Sequence, residues 1–288
     1  MAETLTQSAA DAEDVDHGRR FLFWWLGISI VATPLVAIFL GPAIPPGHGT
    51  VEAAGQVVDN TVLVAISTPV CAFVLVMLAY TLTKFRSRAG VLEDGEPIRG
   101  NNRIQVLWVA ITTVTVLFLA GFGSYELVSD GAGGGQGPSA AFTPVGYQKA
   151  LDVQVIGQQW QFTYRYPSAG GVETPDLVLP ENTLVRFHVT SLDAIHSFWA
   201  YELGVKADAN PGVDNIAYVT TKGPLTFHVR CAELCGLWHG YMDDVGHVVS
   251  QSDFSAFLAK EKAVYAPIMK YLPPYAKTYL PDPQQRAG

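Results

Sequence analysis

The sequence predicts a membrane anchor of two to three transmembrane α-helices, followed by an all-β Greek-key sandwich. Of 288 residues 49% are hydrophobic and only 15% charged, a balance expected of a membrane protein that also carries a soluble part. The apolar residues concentrate in three long runs before residue 126, and beyond a Gly-rich stretch the pattern shortens to alternating runs. That change of period marks the change from helix to strand.

The three apolar runs are residues 21–40 (FLFWWLGISIVATPLVAIFL), 61–82 (TVLVAISTPVCAFVLVMLAYTL) and 104–125 (IQVLWVAITTVTVLFLAGFGSY). Each has about the 20 residues that a helix needs to cross some 30 Å of hydrocarbon, and none contains Asp, Glu, Lys or Arg. The first run has an acidic approach apart from Arg19 and Arg20, and no small-x-small cleavage site precedes Pro42. It therefore reads as a retained helix rather than a signal peptide. Arg19 and Arg20 precede the first run, residues 41–60 hold no Lys or Arg, and Lys84, Arg86, Arg88, Arg99 and Arg103 fall between the second and third. By the positive-inside rule the N-terminus and the second loop are cytoplasmic, so everything after Tyr125 is extracytoplasmic. The expected setting is a bacterial-type cell membrane crossed several times.

Residues 131–138 (GAGGGQGP) are a flexible linker by composition. Residues 152–156, 183–190, 215–220, 225–230 and 245–249 then alternate apolar and polar side chains between Gly, Pro and Asn turns, as strands of a sandwich do. Residues 252–260 read as a closing amphipathic helix. The expected organisation is tail and spans over 1–130, linker over 131–146, β-domain over 147–262 and a Pro- and Tyr-rich tail over 263–288. Cys71 falls inside the second apolar run and is expected to be a packing residue.

The chemistry sits in one run, Cys231-Ala-Glu233-Leu-Cys235-Gly-Leu-Trp-His239-Gly-Tyr-Met242. Two thiolates, an imidazole and a thioether within twelve residues form a soft donor set. A mononuclear blue-copper site needs only one Cys, so the second provides enough sulfur to bridge two metals. His196, just past a strand end upstream, adds a second imidazole. A disulfide between Cys231 and Cys235 is conceivable in an oxidising compartment but leaves His239 and Met242 unexplained. Zinc held by two Cys and two His is the stronger rival, though Met is not a ligand that zinc favours. His188, His228 and His247 lie inside strand patterns and are expected to be structural, with His228 a possible neighbour of the ligands; His17 and His48 are expected to be solvent-facing and without a role.

These residues closely resemble cytochrome c oxidase subunit II, the subunit of haem–copper oxidases that carries the binuclear CuA centre. The resemblance covers most of the chain. It takes in two of the membrane helices and the aromatic run Gln159-Trp160-Gln-Phe162-Thr-Tyr164-Arg-Tyr166-Pro. It also takes in His196-Ser-Phe-Trp, Gly204-Val-Lys206-Ala-Asp208-Ala-Asn-Pro211-Gly212 and the Cys231 to Met242 loop. It implies a cupredoxin-like β-domain in which Cys231 and Cys235 bridge both coppers and His196 and His239 each ligate one. Met242 would be a weak ligand on one copper and the Glu233 carbonyl a ligand on the other. The Glu233 side chain would face a magnesium site shared with subunit I, and Trp160 would receive electrons from the donor. The implied partners are cytochrome c or a membrane-bound cytochrome donor, subunit I with its haems and CuB, subunit III and the bilayer; no nucleic acid is expected.

The activity implied is electron intake for oxygen reduction to water, coupled to proton translocation. A copper subunit of a related nitric oxide reductase and a membrane-tethered copper carrier are the alternatives. Between Asp193 and Asp253 eight acidic residues (193, 202, 208, 214, 233, 243, 244, 253) face three basic ones (206, 222, 230), a field expected to attract a Lys-rich donor. Three departures from the family pattern stand out: the extra N-terminal helix, Gln105 where a Glu usually precedes Trp108, and Val213 where an Arg commonly follows the Pro-Gly pair.

Overall fold

A computed structural model describes residues 16–44, 47–85, 99–129 and 146–272; the expected linker falls outside these except for Gly146, as does the tail beyond residue 272. Three helices are long and apolar enough to span a membrane: α1 (His17–Leu35), α2 (Val51–Lys84) and α3 (Asn102–Ser129). Asp16 caps α1 by accepting the Arg19 N–H at 2.9 Å. Pro34 lacks the N–H that would continue the ladder, and the helix slackens directly afterwards into a π turn, Val36–Leu40. The Trp25 indole N–H donates to the Pro69 carbonyl of α2 at 2.8 Å, and Phe21 and Trp25 set their rings edge-on to Phe73. His17, expected to have no role, bonds the Tyr80 hydroxyl at 2.8 Å.

Helix α2 starts ten residues before the apolar run because its first turns make polar contacts with the β-domain. Thr50 accepts the Ala53 N–H and donates to the Leu203 carbonyl, Gln56 donates to the Gly204 carbonyl, and the Glu52 carboxylate accepts the Thr220 N–H. Gly204 has φ +66°, and a Cβ there would come within 2.9 Å of the Ala53 backbone, so only glycine allows this approach.

The β-domain is a sandwich of ten strands. In chain order they are β1 (Leu151–Gln158), β2 (Gln161–Tyr166), β3 (Val172–Thr174), β4 (Val178–Pro180), β5 (Leu184–Ser191), β6 (His196–Ala200), β7 (Val205–Ala209), β8 (Asn215–Thr220), β9 (Leu225–Cys231) and β10 (Asp243–Val249). One sheet has the order β3-β2-β1-β5-β8 and the other β4-β10-β9-β6-β7. The alternating runs correspond to β1, β5, β8, β9 and β10; the remaining strands include two of three residues and the aromatic run, none with a clear alternation. Val153, Val155, Tyr164, Phe187, Phe198 and Phe227 lie fully buried in the core cluster. Each aromatic or aliphatic side chain so buried contributes on the order of 1.5–3 kcal/mol, giving the loops at the sandwich end a rigid support.

Helix α4 (Gln251–Met269) closes the domain, with the Ser250 hydroxyl accepting the Asp253 N–H. It runs past both residue 260 and the expected domain end at 262, because Phe254, Phe257, Leu258, Tyr265 and Met269 all pack against the core.

Candidate metal centre

Three connections meet at one end of the sandwich: the β1–β2 turn, the β5–β6 loop and the long β9–β10 loop. Sheet register brings distant residues together there. Strand β6 pairs antiparallel with β9, placing Phe198 opposite Cys231, so His196 at the start of β6 falls beside the end of β9. The Cys231 N–H bonds the Met242 carbonyl at 3.0 Å and closes the loop, while the Ala232 N–H bonds the Ser197 carbonyl at 2.9 Å.

The donor atoms converge. Cys231 Sγ and Cys235 Sγ lie 3.7 Å apart as free thiols. His196 Nδ1 is 3.9 Å from Cys231 Sγ, and His239 Nδ1 is 3.6 Å from Cys235 Sγ. Met242 Sδ is 3.8 Å from Cys235 Sγ, and the Glu233 carbonyl oxygen is 3.2 Å from Cys231 Sγ. The ligand atoms of His196, Cys231 and Cys235 all lie within 4.8 Å of one another. His196, Cys231, Cys235 and Met242 are buried and His239 is half-buried, whereas the Glu233 side chain is exposed. Every copper ligand expected from the sequence is thus present at one place, and the thiols are not joined in a disulfide.

The surrounding residues prepare this set. Asp193 Oδ1 sits 2.8 Å from His196 Nε2. Burial raises the Asp193 pKa, but bonds from His196 and from the Gln159 and Ala194 N–H groups outweigh it and hold it below the ordinary value. An ionised carboxylate only accepts, so the imidazole carries its proton on Nε2 and turns the Nδ1 lone pair to the thiols. Burial and the neighbouring Cys231 thiol push the Cys235 thiol up to about 12. Gly157 backs the His196 ring; a Cβ there would come within 3.1 Å of Cδ2.

Trp160 lies half-buried in the β1–β2 turn. Its ring covers Gly236 so closely that a Cβ at that position would meet indole Cζ2 and Nε1 at 3.3 Å. The preceding residue is bonded at both ends: Gln159 N–H donates to Asp193 Oδ2 at 2.7 Å, and its side-chain amide donates to the Cys235 carbonyl at 2.8 Å. Sequence reasoning counted Asp193 only as surface charge and passed over the functions of Gln159, Gly157 and Gly236. The one local signal was Asp193 standing three residues before His196 in the same loop.

The acidic face expected from the sequence is largely engaged within the domain. Asp193 holds His196, Glu202 binds His228, Asp208 accepts the Ser197 hydroxyl, Asp214 binds His188 and Asp253 takes part in the α4 cap. His228 faces outward, stacked on Tyr201 and paired with Glu202, and is not part of the ligand surroundings. His188 and His247 likewise have structural partners, Asp214 and Thr226. Around the metal loop Leu234, Leu237 and Tyr241 stand 75–84% exposed, an apolar rim of the kind that marks a partner surface.

Fold and site together define a membrane-anchored, cupredoxin-like protein whose extracytoplasmic β-domain gathers a donor set suited to a soft metal. Comparison with known families is consistent with this at both ends of the chain. Residues 49–127 match the transmembrane domain of cytochrome c oxidase subunit II and residues 172–249 match its periplasmic domain. The chain belongs to the cytochrome c oxidase subunit II family, and is thereby a subunit of a terminal oxidase, an oxidoreductase. Helix α1 precedes the matched residues.

Similar proteins include a probable cytochrome c oxidase subunit 2 of Rickettsia bellii (strain RML369-C), 29% identical over 243 residues, covering 77% of this chain and 84% of that one. The cytochrome c oxidase subunit 2 of Thermostichus vulcanus is 29% identical over 297 residues, covering 86% of this chain and 88% of its own. Among solved structures, the periplasmic domain of subunit II of cytochrome oxidase of Bradyrhizobium japonicum is 30% identical, covers 40% of this chain and 95% of its own, and superposes with a TM-score of 0.39.

Proposed function

We propose that the chain is the electron-accepting subunit of its oxidase, taking electrons from a c-type cytochrome at a binuclear copper centre and passing them to haem in subunit I for oxygen reduction coupled to proton translocation. The observation that carries the reading is the free thiol pair, 3.7 Å between sulfurs, with one imidazole Nδ1 facing each thiol. Two bridging thiolates, two imidazoles, a thioether and a carbonyl fit a pair of soft, redox-active ions. When bound, the copper pair supplies one-electron storage shared over both ions.

The chain's own residues do the rest. Cys231 and Cys235 supply the shared sulfurs, His196 and His239 one nitrogen each, Met242 the weak thioether and Glu233 its main-chain oxygen. Burial of His196, Cys231, Cys235 and Met242 keeps water out, and the β-sandwich holds the ligands still, so little rearrangement accompanies each transfer. Trp160 lies between the surface and the Cys235–Gly236 segment and serves as the electron port. The exposed Glu233 side chain is placed to share a magnesium ion with subunit I, and the apolar rim of Leu234, Leu237 and Tyr241 suits contact with a partner.

The full chain, purified and loaded with copper, should hold two copper ions. At low temperature its electron paramagnetic resonance should show one unpaired electron shared by both nuclei. A four-line mononuclear spectrum, or preferential zinc binding, overturns the reading.

A further inference from the structure

The Trp160 ring is held in an unusual way. Its buried indole N–H finds no hydrogen-bond partner among the described residues, so no polar contact of its own fixes it over Gly236. The residue before it is tied down at both ends. The Gln159 N–H donates to Asp193 Oδ2 while the other oxygen of that carboxylate accepts from His196, and the Gln159 side-chain amide donates to the Cys235 carbonyl. One residue thus links both arms of the donor set, His196 through Asp193 and Cys235 directly, to the turn that carries Trp160.

We infer that Gln159 is a positioning residue for electron transfer, holding Trp160 against the Cys235–Gly236 segment; the inference rests on the reading of Trp160 as the electron port. The chemistry selects glutamine. The side chain must reach a carbonyl two strands away and must donate, so a Glu of the same length would set a carboxylate against the carbonyl oxygen and repel it. Gly236 completes the arrangement, since a Cβ there would meet Gln159 Nε2 at 3.1 Å as well as the indole. In the step concerned one electron leaves the reduced haem of the donor and reaches the copper pair. No bond forms or breaks and no proton moves, so its rate depends on the gap and contact between Trp160 and the loop.

The test uses the assembled oxidase carrying Gln159→Met or Gln159→Glu, with Trp160→Phe in parallel and reduced soluble cytochrome c as the donor at saturating concentration. Transfer into copper should slow about tenfold in both Gln159 variants, equivalent to about 1.4 kcal/mol in the barrier. Copper content, paramagnetic resonance spectrum and the copper-to-haem rate should stay unchanged. In the copper-free full chain, amide exchange across residues 157–161 and 235–237 should rise. An unaltered transfer rate in both variants overturns the inference, as does slowing accompanied by copper loss or an altered spectrum, which would make Gln159 a brace for the ligands. If Trp160→Phe leaves the rate unaltered, the port reading itself fails, and the inference with it. If Trp160→Phe slows transfer and the Gln159 variants do not, the inference alone fails.

Discussion

Cys231 Sγ and Cys235 Sγ face each other at 3.7 Å with no bond between them, a spacing that a metal pair can bridge. Substituting either thiol removes half of that bridge. Cys235→Ser should abolish the shared-electron spectrum and leave at most one copper per chain, as metal analysis and paramagnetic resonance will show.

Loading should depend on pH with a definite sign. The Cys235 thiol, pushed up to about 12 by burial and by Cys231, is protonated at neutral pH before metal arrives. Binding must displace that proton, so apparent copper affinity should fall as pH is lowered. Competition against a chelator of known affinity at several pH values measures the slope.

Met242 contributes a thioether 3.8 Å from Cys235 Sγ and is buried to 2% exposure. Met242→Leu conserves volume and leaves both thiols and both imidazoles in place. The copper pair should persist while its reduction potential shifts, a separation that redox titration followed by absorbance will detect.

Gly157→Ala tests the wall behind His196. The added methyl would lie 3.1–3.3 Å from three ring and side-chain carbons of His196, so the imidazole must shift by a few tenths of an ångström. Copper affinity should drop by about 10–100-fold, the usual cost of disturbing a ligand's support, with the melting transition of the metal-free chain little changed.

The β-domain should be most stable between mildly acidic and neutral pH. Burial disfavours the charge on His188, but bonds to Asp152 and Asp214 outweigh it and raise its pKa above 6.5. The stability it contributes is complete below pH 6.5 and is lost as pH rises through the folded value. Burial also raises Asp152, yet bonds from His188 and Arg186 bring it down from 3.8 to about 2, so its contribution is present above 3.8 and lost as pH falls toward 2. Urea unfolding of the full chain followed by tryptophan fluorescence should give a higher midpoint at about pH 5.5 than at about pH 8.5, and His188→Gln should shrink that difference.

Much of the molecule is legible in the sequence because its signals are local. Hydropathy over about 20 residues identifies each span, and the loop from Cys231 to Met242 declares its donors within twelve residues. Strands β1, β5, β8, β9 and β10 alternate clearly. By contrast β3 and β4, of three residues each, are too short to show a period and exist because their neighbours pair with them. The ten-residue extension of α2 is equally hidden, since Glu52 finds the Thr220 N–H 168 positions away.

The sequence by itself determined the number and orientation of the spans, the β character of the extracytoplasmic half and the inventory of soft donors. Only the tertiary structure decided how that inventory is used. Pairing of β6 with β9 sets His196 against Cys231 across 35 residues. The same register turns Asp193 from a surface charge into the acceptor that fixes the His196 tautomer, and Gln159 from a turn residue into the link between Trp160 and Cys235. Spacing along a chain is local information, whereas hydrogen-bond partners across a sandwich exist only once sheet register has chosen them.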